Sequence, residues 1–247
     1  DLDADPFYQL GEPEQRPLAD FGCLLMRKDP PVDDAYIWAT QIMGLAASAS
    51  TRVHNAPAAL LGSNEKLAIA RFPEHCAPTL CSANPAELRA FAQQHGDVIF
   101  KPLDGMGGRS IFRIQPGDTN LNVVIETLTH NGRDLALAQA FLPAIRDGDK
   151  RVLIIDGKPW PRLLARIPSQ GENRGNLAAG GRGEVGDLSE ADRAIAASVG
   201  PWLREMGVAF AGIDVIGDKL TEINITSPTC VREIEAADGS NICAALW

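Results

Sequence analysis

Lys101-Pro102-Leu103-Asp104-Gly105-Met106-Gly107-Gly108-Arg109-Ser110 is the stretch on which the reading of this chain turns. The apolar residues 98–100 ahead of it read as a strand that ends in the lysine, and 110–114 behind it alternate as a second strand. Three glycines fill the turn between them. Glycine lets backbone N–H groups approach an anion closely, and a lysine at a strand end can hold a phosphate. Alone, the same residues would describe a glycine turn carrying a surface lysine.

They do not stand alone. Glu222-x-Asn224 closes a late strand, and a period of two puts both oxygen ligands on one face. Asp214 lies on the preceding strand. Such oxygens suit Mg²⁺, which keeps several waters and shares substrate phosphates. Register decides whether the three meet. A two-residue turn at Gly217-Asp218 would pair Asp214 with Thr221 and send the acid to the other face. A three-residue turn, Gly217-Asp218-Lys219, pairs Asp214 with Glu222 and is the one expected. A solvated hairpin face is the alternative.

Residues 167–186 break the pattern of strands and helices: six glycines and no periodic apolar face. With Arg174, Arg182 and the preceding Arg166 they read as a mobile lid over an anionic ligand, or else as a plain disordered loop. Lys66 opens a short helical pattern at 65–71, and Lys150-Arg151 opens a strand. Together these supply basic groups, as an anionic ligand requires.

The rest of the chain frames these sites. It has 247 residues, a size for one large domain or two modest ones at roughly 150 residues each. Residues 1–18 read as a loop. Residues 21–26 and 51–55 read as short buried strands around a helix at 33–47, a βαβ fragment with parallel strands. Asn84, Pro85 and Glu87 mark a helix start, as do Ser189 and Asp192. Strands are expected at 135–141, 150–155, 159–165, 210–216 and 220–225, with a tight Asp156-Gly157 hairpin turn.

Composition excludes several classes. The net charge is −9 with 23 basic and 32 acidic residues, a poor match to nucleic acid or an anionic membrane. No run of 18 apolar residues occurs, so no membrane span is expected. The five cysteines (23, 76, 81, 230 and 243) are odd in number and lack a C-x-x-C, which points to reduced thiols in a cytoplasm. Asp1-x-Asp3-x-Asp5 fails as a calcium loop because Pro6 stands where glycine is needed. Gly181-x-Gly183-x-x-Gly186 fails as a dinucleotide fingerprint because it follows loop rather than strand. His54, His75, His95 and His130 are scattered.

Met26–Pro31, Asn64–Lys66, Lys101–Gly108, Leu142–Arg151, Ala165–Pro168, Arg174–Glu184 and Thr221–Cys230, in this order, resemble the ATP-grasp superfamily. Within it they resemble the bacterial glutathione synthetases. The resemblance covers roughly residues 18–240. It implies an α+β ATP-grasp fold: a partial N-terminal α/β domain over 1–62, then an ATP-grasp domain over 63–247. The latter would comprise lobes of about 63–132 and 133–247 that clamp ATP, with the break near Asn131-Gly132. It also implies a further strand and helix upstream and a longer final helix.

For function, the resemblance implies ATP-dependent joining of γ-glutamylcysteine to glycine through an acyl phosphate, in a cytoplasmic homo-oligomer, a tetramer in this family. Lys66 and Lys101, with Gly105, Gly107 and Gly108, would hold phosphates. Gln139 and Leu142 would border the adenine, and Asp149, Arg174 and Asn224 would complete the nucleotide site. Asp214, Glu222 and Asn224 would ligate two Mg²⁺, or Mn²⁺ in their place. Arg27, Arg151, Arg166, Ser227 and Thr229 would face the peptide and glycine, with Arg151, Arg166 and Lys101 acting in catalysis. The alternatives are another ATP-grasp carboxylate–amine ligase and a non-catalytic ATP-binding regulatory module.

Overall fold

The structure is a computed structural model and describes residues 8–48, 50–172, 174–175, 177 and 180–246. The acidic stretch 1–7, and positions 173, 176, 178 and 179 of the glycine-rich segment, lie outside the described residues.

The chain opens with β1 (Cys23–Leu25), α1 (Asp34–Ala46), β2 (Arg52–His54) and α2 (Pro57–Gly62). β1 and β2 pair in parallel, as the βαβ reading requires. Asp33 caps α1 by accepting the Tyr36 N–H at 2.8 Å. The strands are less buried than their apolar run predicts. Phe21 and Leu25 are exposed, because this sheet has two strands and, among the described residues, no third strand covers an edge.

β3 (Thr79–Ser82), α3 (Pro85–His95), β4 (Val98–Pro102), β5 (Phe112–Ile114), α4 (Leu121–Thr129) and β6 (Ala136–Ala140) follow. They build an antiparallel four-stranded sheet in the order β3-β6-β4-β5. Leu88, Phe91, Phe100, Val124, Ile125 and Ala138 form its core against α3 and α4. Asn84 caps α3 as its sequence predicts. Because β6 bonds to β3 and β4, this sheet runs to Ala140. The passage to the next sheet therefore falls after Ala140, not at Asn131-Gly132, which is only the turn after α4.

The second half holds β7 (Asp149–Ile155), β8 (Lys158–Ile167), β9 (Arg182–Asp187), α5 (Glu190–Glu205), β10 (Phe210–Ile216), β11 (Lys219–Asn224) and α6 (Val231–Asp238). Its five strands run in the order β11-β10-β7-β8-β9. The β7–β8 turn is Asp156-Gly157, with φ of 45° and 71°, the left-handed pair that a two-residue hairpin needs. Val152, Ile154, Ile213 and Val215 pack with Ile195, Val199 and Leu203 of α5. Leu153, Leu164 and Phe210 pack with Ile234 of α6 on the opposite face. The capping box of Ser189 and Asp192 is present at the start of α5.

Two elements depart from the sequence reading. The segment 65–71 gives only a 3₁₀ turn at Ala68–Arg71. The Glu65 carbonyl accepts Ile223 N–H of β11 at 2.9 Å, so it is taken from the i+4 amide a helix would use. The glycine-rich segment also ends earlier than expected, since β9 pairs with β8 from Arg182↔Ile167 onward.

Candidate active site

A cavity of about 370 Å³ opens between the four- and five-stranded sheets. Its floor is the outer face of β7, β8, β10 and β11. Gly212 pairs with Asn224, and Asp214 with both Glu222 and Arg151. The expected pairing of Asp214 with Glu222 is therefore present, by a different route. The turn holds two residues, Gly217 and Asp218, because Ile216 pairs with Lys219. A β-bulge between Asp214 and Val215 shifts the register by one, at Thr221, whose hydroxyl donates to Asp214 O at 3.1 Å. The extra residue sits in the strand rather than in the turn.

The floor carries a tight charge cluster. Arg151 donates to Asp214 through Nε at 2.5 Å and Nη2 at 3.1 Å. Arg166 Nη2 lies 3.0 Å from Asp214 Oδ2 and donates to Asp149 Oδ2 at 2.6 Å. Asn224 Nδ2 donates to Asp214 Oδ2 at 3.3 Å. Burial pushes the Asp214 carboxyl up, but the two guanidiniums outweigh it and hold it down to about 2. Asp149 goes the other way. Burial, with Asp214 and Glu222 nearby, lifts it to about 7 against the pull of Arg166. Among the described residues its Oδ1 is buried without a hydrogen-bond partner.

The wall opposite is the glycine turn. Lys101 Nζ donates to Glu222 Oε1 at 3.3 Å. Lys66 Nζ lies 4.0 Å from the same oxygen, pairs with Glu65, and donates to Gly105 O at 2.6 Å. Asn64 Nδ2 donates to Leu103 O at 2.9 Å. Both lysines are buried; for Lys66, burial pulls the ammonium down, and the Glu222 and Glu65 carboxylates beside it outweigh that and raise it. From the glycine-rich segment Arg174 reaches over to donate to Gly108 O at 3.3 Å.

Lys66, Lys101, Gly105, Gly107, Gly108, Gln139, Leu142, Asp149, Arg151, Arg166, Arg174, Asp214, Glu222, Asn224, Ser227 and Thr229 all line this one cavity. Arg27 does not. It lies over the Phe210 ring and donates to Pro228 O at 2.8 Å, behind the 227–229 turn. Lys150 is also turned away, as a period of two demands of Arg151's neighbour. It pairs with Asp192 and donates to Gly217 O at 2.8 Å. Arg182 pairs with Glu184 in the open.

Sequence reasoning missed two acids. Asp29 lines the cavity and accepts from Ser227 Oγ at 2.6 Å. Glu65, raised by burial and by Glu222, sits beside Lys66. Their adjacency to Arg27 and Lys66 in the quoted motifs was the available signal.

The donor set fits a divalent cation. Asp214, Glu222 and Asn224 offer hard oxygens from paired strand positions. Among the described residues no group of three or more His, Cys, Asp or Glu could hold a metal by itself. Two carboxylates and an amide fall short of a full coordination shell, which is the shortfall that phosphate oxygens and waters fill for Mg²⁺. Among the described residues no helix is long and apolar enough to cross a membrane.

A nucleotide-sized cleft between two sheets, with lysines and a glycine turn facing carboxylates on a paired strand, defines an ATP-grasp ligase, an enzyme that uses ATP and a divalent metal. Two solved structures share the fold. A D-cycloserine synthetase, DcsG, matches with a TM-score of 0.65 at 17% identity, over 88% of this chain and 80% of that one. The ATP-grasp ligase PsnB, complexed with a minimal precursor, Mg and ADP, matches with a TM-score of 0.60 at 20% identity, over 84% of this chain and 64% of that one. The chain belongs to the prokaryotic glutathione synthetase family, matching its N-terminal domain over residues 1–60 and its ATP-grasp domain over 65–239. The glutathione synthetase of Photorhabdus laumondii is 59% identical over 94% of this chain and 73% of its own length. That of Vibrio cholerae is 54% identical over 100% of this chain and 78% of its own.

Proposed function

We propose that this chain joins γ-glutamylcysteine to glycine, using Mg-ATP and releasing ADP and phosphate. The observation that carries the reading is the convergence of Lys66, Lys101, Asp214, Glu222 and Arg166 on one cavity. A carboxylate and an amine do not condense unaided in water. Phosphorylating the carboxylate gives a leaving group that the amine can displace. Lys66 and Lys101 spread the charge on the transferring phosphoryl group. Mg²⁺, or Mn²⁺ in its place, would be held by Asp214, Glu222 and Asn224 and would supply further neutralisation of phosphate charge. Arg151 and Arg166 face the acyl substrate, and Arg166 steadies the oxyanion that forms when the amine attacks. Ser227 and Thr229 border the acceptor. The 167–186 segment covers the acyl phosphate against water.

The same reading takes the protein as a cytoplasmic homo-oligomer of the family's tetrameric kind. Trp38, Ile42 and Leu45, exposed along one face of α1, support an association surface. The test is ADP release with Mg-ATP, γ-glutamylcysteine and glycine, each omitted in turn. Release that needs all three, with glutathione formed, is expected. Full release with a different amine or carboxylate, and none with these, would transfer the reading to another ligase of the superfamily.

A further inference from the structure

Phe141 is the first residue beyond β6, where the chain leaves the four-stranded sheet for the five-stranded one. Ala140, Phe141 and Leu142 line the large cavity. Behind Phe141 lies a second recess, lined among others by Asp97, Arg113 and, from the glycine-rich segment, Pro168 and Glu172. Neither Asp97 nor Arg113 lines the large cavity, yet both grip this residue. Asp97 O accepts the Phe141 N–H at 2.9 Å. Its carboxylate receives Arg113 Nε at 2.9 Å and Nη2 at 2.6 Å, a two-pronged pair. That pair lays the guanidinium over the Phe141 ring, 3.6 Å from its centroid. One acid thus fixes the backbone of Phe141 directly and its ring through Arg113.

We propose that the Asp97–Arg113 pair is a positioning device for the nucleotide. It holds the 140–142 backbone in the conformation that receives the adenine edge, without touching ATP. The inference rests on the reading of this segment as the adenine border. Backbone groups that recognise a base edge must be held within about 0.5 Å of the productive geometry. Here the bond from Phe141 N–H to Asp97 O is the last that the neighbouring strand supplies, and the Phe141 ring is left for side chains to hold. A guanidinium stacked on the ring does hold it, and a lysine ammonium has no plane with which to do the same. An ordinary ion pair at a sheet edge, by contrast, would change only stability, and by little.

The experiment is steady-state kinetics and direct ATP binding on Arg113→Leu, Arg113→Lys, Phe141→Leu and Phe141→Tyr. Arg113→Leu is expected to raise KM for ATP about fivefold to thirtyfold, the range that loss of a cation–π contact converts to. Its kcat and the KM of both acceptor substrates should stay within about twofold. Use of GTP relative to ATP should rise, because the base edge is held less firmly. Arg113→Lys should raise the ATP KM nearly as far as Arg113→Leu, and Phe141→Tyr should leave it near the wild-type value. The double variant with Phe141→Leu should be no worse than either single one, since both remove one contact. Folded Arg113→Leu protein with an unchanged ATP KM, or with a fall in kcat at constant KM, would overturn the inference. If Phe141→Leu does not fold, Asp97→Asn serves in its place and should raise the same KM. Wild-type protein that binds no ATP at all would instead remove the reading on which the inference stands.

Discussion

The two sides of the cavity hold their charges in different ways. On the five-stranded sheet Arg151, Arg166, Asp149 and Asp214 are buried and already bonded to one another. At the glycine turn of the four-stranded sheet the cations lean on what a nucleotide can displace: Lys66 on the Gly105 carbonyl, Arg174 on that of Gly108. The difference is between a floor that is built before substrate arrives and a wall that exchanges partners on binding. A fixed floor suits the step where charge develops on a reacting carbonyl, because preorganised groups need no reorganisation at that moment. An exchangeable wall suits phosphates that must enter and leave.

The comparison breaks most violently at Asp214. Asp214→Asn leaves Arg151 and Arg166 facing each other without the carboxylate that joins them. Removing one partner of a buried pair costs about 3–5 kcal/mol, so unfolding by denaturant should show a loss of that order. Ligation should fall by on the order of 10³ or more if Asp214 is the metal ligand proposed above. A variant of near-normal stability would mean that the floor is not prebuilt. Glu222→Gln tests the seam between the regions, for Glu222 stands on the floor but pairs with wall lysines. Stability should fall as well, because two buried lysines lose a partner, but by less than for Asp214→Asn, since Glu222 is part-exposed and Glu65 still pairs with Lys66. Metal-dependent turnover should fall about a hundredfold, because charge stabilisation by a bound cation is worth several kcal/mol. An unchanged kcat would remove Glu222 from the metal site.

The same contrast explains what could be read from sequence. The floor lies on strands, where a period of two fixes which side chains share a face, so Asp214, Glu222 and Asn224 were legible together. That period also separates Lys150 from Arg151, although their adjacency suggested a joint role. The bulge at Thr221 was not legible, because a two-residue turn plus a bulge and a three-residue turn give the same pairing of Asp214 with Glu222. The helical pattern at 65–71 was overruled by a distant strand, since the Glu65 carbonyl bonds to Ile223. Arg27 carries a motif residue's signature but spends its charge on the Pro228 carbonyl. Motif membership marked the neighbourhood of the site, and only the fold showed which side chains enter it.

Asp149 offers a sharper probe of the floor through pH. Its carboxyl is raised to about 7 when folded, against 3.8 ordinarily. Between those values the folded protein holds a proton that the unfolded chain has released. Unfolding free energy contributed by this group therefore falls as pH rises from about 4 to about 7, and is flat above. Asp214, held low, acts in the opposite sense and only below about 4, and Glu65, raised like Asp149, is common to wild type and Asp149→Asn, so the difference between the two proteins above pH 4.5 reports Asp149. Wild type should lose about 3 kcal/mol relative to Asp149→Asn between pH 4.5 and 8, read from denaturant midpoints. Parallel curves would show that Asp149 ionises normally and that the floor is wetter than its packing implies.

The smallest effect is expected on the wall. Gly107 has φ of +62°, and a Cβ added there meets nothing within 4 Å. Gly107→Ala thus introduces left-handed backbone strain of about 1–2 kcal/mol and no clash. Gly105 is unlike it, since its Cβ would come 2.8 Å from Pro102 Cγ. If the wall is exchangeable, the turn relaxes and the strain leaves stability untouched. It reappears as lost complementarity to phosphate, with KM for ATP up about fivefold and kcat unchanged. If the wall is as rigid as the floor, the turn cannot relax. Stability then falls by the strain itself while KM holds, and the distinction between the two regions is gone.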